Sequence, residues 1–385
     1  MALTMHTVRM GKPRWRQTVL AYMQGRAAPS GWVRLGLTPL WVLSQLYGGL
    51  VLGRYASYAW GIRRRQRLPC RVISIGNLTV GGTGKTPLTI WLARWLQKQG
   101  WRVVVLSRGY GGRAERPVQV VSTGAGPLLD WRIAGDEPYM LAHALPGIPV
   151  LIAADRYLGG QYACAHLDAQ VLILDDGFQH YALHRDLDVV LIDASNPFGP
   201  GALLPRGILR EPRRALQRAD VIVLTRVDMA TGTLPALCQQ IRRWHARQPI
   251  YALVTVAEAW SQWGHDRLDG TTRLAGQRVV AFAGIGQPSA LLATLAQLGA
   301  EVAACLEFPD HHPYTVDDWQ AILAVALQQR AVCMVTTDKD AVRLAADWQA
   351  PMPLYIVRVD ITFVQGQASF TQQLATLMEG AHMHA

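Results

Sequence analysis

The stretch SIGNLTVGGTGKTP, Ser74–Pro87, decides how this chain is read. It approaches the phosphate-loop pattern G-x-x-x-x-G-K-[ST], ending in Gly84, Lys85 and Thr86 but with Thr79 in the first glycine's place. Upstream, RVISIG (71–76) is a β-branched apolar run of the kind found in buried strands. Downstream, Leu88, Trp91, Leu92, Trp95 and Leu96 recur at helical spacing, with Pro87 suited to a first turn and Gly100 to the end. Strand, glycine loop and helix form the setting that a phosphate loop requires. Gly81, Gly82 and Gly84 let the backbone from Thr79 and Val80 through Thr83 curl its N–H groups toward an anion at a helix N-terminus. Lys85 is then placed for the β- and γ-phosphates and Thr86 for Mg²⁺.

Outward from this loop, short apolar runs alternate with helical patterns. The further strand candidates are 102–107, 148–153, 171–175, 188–193, 220–225, 278–284 and 331–337. They are continuously apolar rather than alternating, as strands covered by helices on both faces are. The expected fold is α/β, a P-loop NTPase-like, doubly wound and mostly parallel sheet with a smaller second lobe. The composition breaks over 255–277, read as a surface excursion or a junction between lobes.

The chain has 385 residues, 17% of them charged, a net charge of +11 and a pI near 9.7. So low a charged fraction points to a large buried core or to lipid contact. The positive balance points to an anionic partner, whether nucleic acid, phospholipid or phosphorylated substrate. No basic helix or aromatic-basic module supports nucleic acid. Five scattered cysteines without a C-x-x-C pair argue against a disulfide framework and suit a reducing compartment.

Residues 1–34 form a basic extension with no acidic residue. LGLTPLWVLSQLYGGLVLG, Leu35–Gly53, comes next, uncharged between Arg34 and Arg54. About 19 residues at 1.5 Å rise reach roughly 28 Å, just short of a bilayer core of about 30 Å. The segment therefore either spans a membrane or lies in its interface, with Trp41, Tyr47, Tyr55, Tyr58 and Trp60 near the headgroups, or else is a buried core helix. Arg63, Arg64, Arg65 and Arg67 favour a cytoplasmic position for the chain beyond residue 67.

Four polar constellations remain. VLILDDGFQH (171–180) is a strand ending in Asp175 and Asp176, the second acidic element expected beside a phosphate loop; at most one of the pair reaches a metal directly. IAGDEPYML (133–141) places Asp136 and Glu137 at a helix start, where they can also be a cap and its first-turn acid. FPDHHPY (308–314) sets His311 and His312 after Asp310. Arginines recur in glycine- and proline-rich loops, in SRGYGGR (107–113), AADRY (153–157) and GALLPRGILREPRRAL (201–216), where planar guanidinium groups suit phosphate.

Taken together, GNLTVGGTGKTP, LSRGYGG, GDEPYML, DDGFQH, LHRDLDVVLIDASNPFG, LLPRGILREP, FPDHHPY and TTDKDAVRL resemble the tetraacyldisaccharide 4′-kinase family, the lipid A 4′-kinases of Gram-negative bacteria, over roughly residues 35–345. The resemblance implies ATP and Mg²⁺ as cofactors and an anionic glycolipid acceptor. The expected setting is the cytoplasmic face of the inner membrane, with no nucleic acid involved and a monomer favoured. It implies Asp136 as the base that takes the sugar hydroxyl proton, paired with one of His311 and His312, of which His311, directly after Asp310, is the one expected, and Lys85 as the catalytic cation. Thr86, Glu137 and one of Asp175 and Asp176 would hold the metal. Asn77, Arg108, Tyr110, Arg156, His180, Arg206 and Arg210 would meet the acceptor. The implied organisation is a basic extension (1–34), a membrane-associated helical segment (35–67), a P-loop kinase core (68–255) and a C-terminal α/β lobe carrying the DHH motif (256–385). Two rivals stay open here: a membrane-tethered nucleotide switch, faintly echoed by LTRVD (224–228), and a soluble small-molecule P-loop kinase.

Overall fold

The computed structural model describes residues 6–9, 19, 21–25, 38–230, 232–245, 248–262, 268–269, 274–286, 288–345, 348–349 and 351–379. Most of the basic extension, and residues 35–37, lie outside these. The strands are β1 (His6–Arg9), β2 (Arg71–Asn77), β3 (Val103–Ser107), β4 (Val118–Ser122), β5 (Val150–Ala153), β6 (Val171–Asp175), β7 (Leu187–Asp193), β8 (Val221–Thr225), β9 (Ile250–Gln262), β10 (Leu268–Asp269), β11 (Arg278–Ala283), β12 (Glu301–Glu307), β13 (Cys333–Thr337) and β14 (Leu354–Gln365). They join one sheet in the order β1-β12-β11-β13-β14-β9-β8-β7-β2-β6-β3-β5-β4, with β10 paired to β9. The helices are α1 (Thr38–Ala59), α2 (Lys85–Lys98), α3 (Trp131–Ala134), α4 (Asp136–Ala144), α5 (Arg156–His166), α6 (Leu234–Arg242), α7 (Pro288–Gln297), α8 (Val316–Gln328), α9 (Asp338–Ala341) and α10 (Gln367–Glu379).

The continuously apolar runs are the central parallel strands. β3, β5, β6, β7 and β8 are buried at every position. β2 runs parallel between β6 and β7 and ends at Asn77, where the phosphate loop begins. Ile73, Leu88, Leu92 and Ile173 pack on one face of this sheet and Leu78, Phe178, Ile192 and Leu224 in a second cluster. Helices on both faces thus hold the C-terminal strand ends rigidly in one row, which is where ligands meet doubly wound sheets.

Two expectations are corrected. Residues 255–262 are no surface excursion: they belong to β9, which pairs parallel with β8 and antiparallel with β14 along most of its length. This long ribbon is the junction of the two halves. Its polar sequence does not read as a strand, and its partner β14 is likewise mostly half-buried or exposed rather than buried at every position. The second correction concerns the apolar segment. No helix among the described residues is long and apolar enough to cross a membrane. α1 instead lies against the body. Ser44 Oγ donates to the Leu203 carbonyl at 2.9 Å and Tyr47 Oη to the Arg210 carbonyl at 3.0 Å. Tyr55 packs edge-on to Tyr181, and a Cβ on Gly48 would fall 2.8 Å from Leu203. Its opposite face leaves Val42, Leu43, Leu46 and Leu50 about half to three-quarters exposed.

Candidate active site

The loop after β2 is shaped by its glycines and braced by its neighbours. Gly81 and Gly84 have φ of 108° and 82°, conformations that an L-residue adopts only with strain. Thr79 needs no such freedom. It is buried, forms a bridge with Leu209, and the next residue, Val80, donates its N–H to the Ile208 carbonyl. The LREP segment therefore pins the loop where a first glycine would otherwise turn it. Asn77 is fully buried and donates to Thr83 Oγ1 at 3.0 Å, while its side-chain oxygen accepts from Lys85 at 3.3 Å. From below, Thr225 Oγ1 donates to the Thr83 carbonyl at 3.0 Å. Thr225 and Arg226, the echo of a base-reading motif, thus act as a brace, with Arg226 paired to Asp193.

Around this loop opens a cleft of about 900 Å³ lined by Val80–Thr86, Glu137, Asp175, Asp176, His311 and Lys339 among others. Asp176 is claimed by two cations: Arg210 Nη1 reaches its oxygens at 2.8 and 2.9 Å and Lys85 Nζ lies 3.5 Å away. Burial pushes its carboxyl up, but Lys85 and Arg210 outweigh this and hold it below its usual range. Asp175 has no such pair. Its side chain accepts from Thr89, at 3.3 Å, and burial with the nearby Glu137 carboxylate pushes it up to about 7. Two carboxylates that repel within one cleft are a fitting place for a divalent cation. Thr86, Glu137 and Asp175 offer only hard oxygen donors, which suits Mg²⁺ better than a soft metal. No group of three His, Cys, Asp or Glu side chains among the described residues forms a cage. A Mg²⁺ bound there would take its further ligands from phosphate oxygens and water.

Across the cleft stands the acid–histidine pair. Asp136 opens α4 and is not its cap, which is Gly135 at φ 89°. Asp136 Oδ1 accepts from the Glu137 N–H at 3.0 Å and Oδ2 faces His311 Nδ1 at 2.8 Å. His312 points elsewhere, to Asp318 at 2.8 Å. His311 reaches Asp136 from a left-handed backbone, φ 59°, a strained state for a non-glycine residue. Its Nε2 has Lys339 Nζ at 3.5 Å and Asp310 Oδ2 at 3.8 Å. Lys339 thus lies within hydrogen-bond distance of Nε2, and the Asp310 carboxylate lies just beyond it. Burial raises the Asp136 carboxyl, yet the His311 hydrogen bond and the charges of Lys339 and Arg343 bring it below the ordinary carboxylate value. The Asp136 contact in turn raises His311, against burial and Lys339.

Lys339, in TTDKD, is a residue that spacing did not single out. Its Nζ lies 3.3 Å from Glu137 and 3.6 Å from Asp310. Behind it, a closed network fixes the His311 loop. Asp340 accepts from Arg343 at 2.7 Å, Gly284 N at 2.8 Å, Tyr314 Oη at 2.9 Å and Thr337 Oγ1 at 2.7 Å. The pair Arg343–Asp340 is almost fully buried. Such a pair is tolerated because every lone pair is satisfied.

Of the residues expected at the acceptor, Arg108, Tyr110, Arg156, His180 and Arg210 line the cleft. Tyr110 stands exposed, edge-on to the His311 ring at 6.0 Å. Arg156 is buried, donating to the Ala153 and Ala154 carbonyls, and burial with Arg108 lowers it to about 10. His180 is pushed down to about 4 by burial and Arg156, so it is neutral, and its Nε2 is buried without a partner. Two residues lie elsewhere. Asn77 is spent on bracing the loop, and Arg206 lines a different cavity. The reason is local: Asn77 ends a buried strand, and Arg206 sits on the far side of the turn whose near side carries Leu204.

A family model for tetraacyldisaccharide-1-P 4′-kinase matches residues 37–379. The tetraacyldisaccharide 4′-kinase of Syntrophus aciditrophicus (strain SB) is 43% identical over 345 residues, covering 88% of this chain and 92% of its own. That of Anaeromyxobacter sp. (strain Fw109-5) is 44% identical over 360 residues, covering 92% and 95%. Among solved structures, the "apo" form of LpxK from Aquifex aeolicus in complex with ATP aligns with a TM-score of 0.72 at 30% identity, covering 90% of this chain and 99% of that one. A phosphate loop facing an acid–histidine pair, on a sheet shared with that structure and a sequence shared with those enzymes, places the chain in the tetraacyldisaccharide-1-P 4′-kinase family.

Proposed function

We propose that the protein transfers the terminal phosphate of ATP to the 4′-hydroxyl of a tetraacylated glucosamine disaccharide already carrying a 1-phosphate, giving lipid IVA at the cytoplasmic face of the inner membrane. The observation that carries this reading is His311, hydrogen-bonded to the buried Asp136, lining the same cleft as Lys85. In that reaction the acceptor O–H gives its proton to Asp136, the oxygen bonds to the terminal phosphorus, and the bond from that phosphorus to the β–γ bridging oxygen breaks, releasing ADP. Asp136 is kept ionised for this by His311, Lys339 and Arg343, and His311 fixes the direction of its lone pairs. Lys85 stands where charge grows on the transferring group, close to the loop amides. Mg²⁺, held by Thr86, Glu137 and Asp175, would supply further neutralising charge on the phosphate oxygens. His180 and Arg156, with the exposed Arg108 and Tyr110, would position the acceptor, and in-line placement is most of what such a transfer needs.

The decisive experiment is incubation with Mg-ATP and the disaccharide 1-phosphate lipid, followed by location of the new phosphate. Asp136→Ala is expected to slow transfer by about 10²–10⁴-fold while ATP affinity stays within about threefold of the wild type. Loss of ATP binding in that variant would show that Asp136 is not the base. A nucleotide switch would bind GTP and need no acceptor; Thr225 is spent on bracing the loop and Arg226 on Asp193, so neither serves as a base reader here.

A further inference from the structure

We propose that a second cavity, on the flank of α1 turned away from the phosphate loop, binds the headgroup phosphate of an acidic glycerophospholipid of the surrounding bilayer. This cavity, of about 1040 Å³, lies between α1 and the Pro200–Arg214 segment. Its walls carry Arg206, Arg213 and Arg214 together with Tyr22, Trp41 and Trp244. None of the three arginines forms an ion pair or hydrogen bond with a described residue. Elsewhere, several buried and half-buried arginines carry a carboxylate partner: Arg185 with Asp188, Arg210 with Asp176, Arg218 with Glu211, Arg226 with Asp193 and Arg343 with Asp340. Arg206 and Arg213 are half-buried and Arg214 stands exposed beside them, so the hollow is strongly positive and open to an anion.

The cavity is also shaped for a fixed guanidinium. Arg213 lies over the rings of Phe198 and Trp244, at 4.8 and 5.5 Å. Its Nε is buried without a partner. Gly201 leaves the space that the Arg213 head fills, since a Cβ there would fall 2.1 Å from Nη2. A stacked guanidinium with a spare donor is set up to meet a phosphate oxygen, with little further ordering required.

The choice of a bilayer phospholipid over the acceptor's own phosphate rests on helix geometry. At about 100° per residue, Tyr47, Val51 and Arg54 lie on one flank of α1 and face the catalytic cleft. Thr38, Trp41 and Gln45 lie on the other flank and face the second cavity. Where these flanks meet the body, Tyr47 on the cleft side and Ser44 on the cavity side bond the helix to the Arg210 and Leu203 carbonyls. One disaccharide would have to pass through these contacts to occupy both. The remaining face, Val42, Leu43, Leu46 and Leu50, is the exposed apolar stripe. A helix with this stripe in the acyl region places the arginine cavity at headgroup depth.

The test is co-sedimentation with vesicles of phosphatidylcholine alone or with added phosphatidylglycerol, at one ionic strength. Arg213→Gln/Arg214→Gln is compared with the wild type and with Lys98→Gln/Arg330→Gln, which removes two charges elsewhere on the molecule. The cavity variant is expected to lose about tenfold or more of its affinity for acidic vesicles, the control less than about threefold. Binding to phosphatidylcholine alone and turnover of detergent-dispersed acceptor should stay near wild type. Equal losses in the two variants would reduce the cavity to general surface charge and overturn the proposal. A tenfold rise in KM for detergent-dispersed acceptor would overturn it differently, by assigning the arginines to the acceptor's own phosphate. Neither outcome touches the kinase reading, which the Asp136→Ala experiment tests separately.

Discussion

Lys339 Nζ sits within 3.6 Å of Glu137, Asp310 and His311, so one ammonium group ties the proposed metal ligand to the proposed base. Burial alone would favour its neutral form, but Glu137, Asp310 and Asp136 hold it charged. Lys339→Met should lower kcat about tenfold or more, since a preorganised, largely buried charge is worth more than one in water. ATP affinity should change by less than about threefold, and an equal fall in both would mean that Lys339 serves the nucleotide instead. His180 offers a pH test. Its folded value near 4 lies below the ordinary 6.5, so between those two pH values the unfolded chain takes up a proton that the folded chain refuses. Stability therefore falls as pH falls through that window, and His180→Gln should flatten the plot of Tm against pH there. Parallel curves for the two proteins would disprove the assignment. GKT and DD were legible from their own patterns, whereas DE and DHH, which by spacing alone read as a cap and a turn, were marked only by the family resemblance. Which histidine meets Asp136 was not legible, because His311 and His312 differ only in a backbone turn that the sequence does not encode locally.

At the scale of elements, α1 is held on one face and bare on the other. Removing it whole would strip Tyr181, Leu203 and Arg210 of partners, so loss of activity on deletion would not separate anchoring from folding. Leu46→Asp/Leu50→Asp changes only the bare stripe, since both side chains are more than half exposed. This variant should keep its Tm within about 2 °C, as surface substitutions do. It should lose most binding to vesicles and most activity on bilayer-embedded acceptor, while turnover of detergent-dispersed acceptor stays near wild type. Unchanged vesicle binding would exclude the stripe as the membrane contact. The segment's hydropathy alone left span, interface and core open. Ser44, Tyr47 and Gly48 decide the matter by docking, a property of what lies opposite them rather than of the segment.

At the scale of the whole molecule, β8, β9 and β14 carry the sheet without a break from the phosphate loop to the His311 lobe. Calorimetry should therefore show one transition that ATP moves upward as a unit, by about 2.7 kcal/mol at a hundredfold excess over Kd. Lys85→Ala should abolish most of that shift, whereas two separate transitions, only one of them nucleotide-sensitive, would mean that the halves fold apart. The strands of the central parallel sheet announced themselves, because burial on both faces demands unbroken apolar runs. β9 and β14 did not, because a half-covered ribbon carries polar residues that look like loop. By itself, the sequence determined the phosphate loop, the α/β class and the family, since each rests on residues within a few positions of one another. Only the tertiary structure decided that Asp136 and His311, 175 residues apart, come within hydrogen-bond reach, that Arg206 faces a different cavity, and that α1 lies on the body. Those outcomes depend on close packing across the sheet, which no local run of residues can specify.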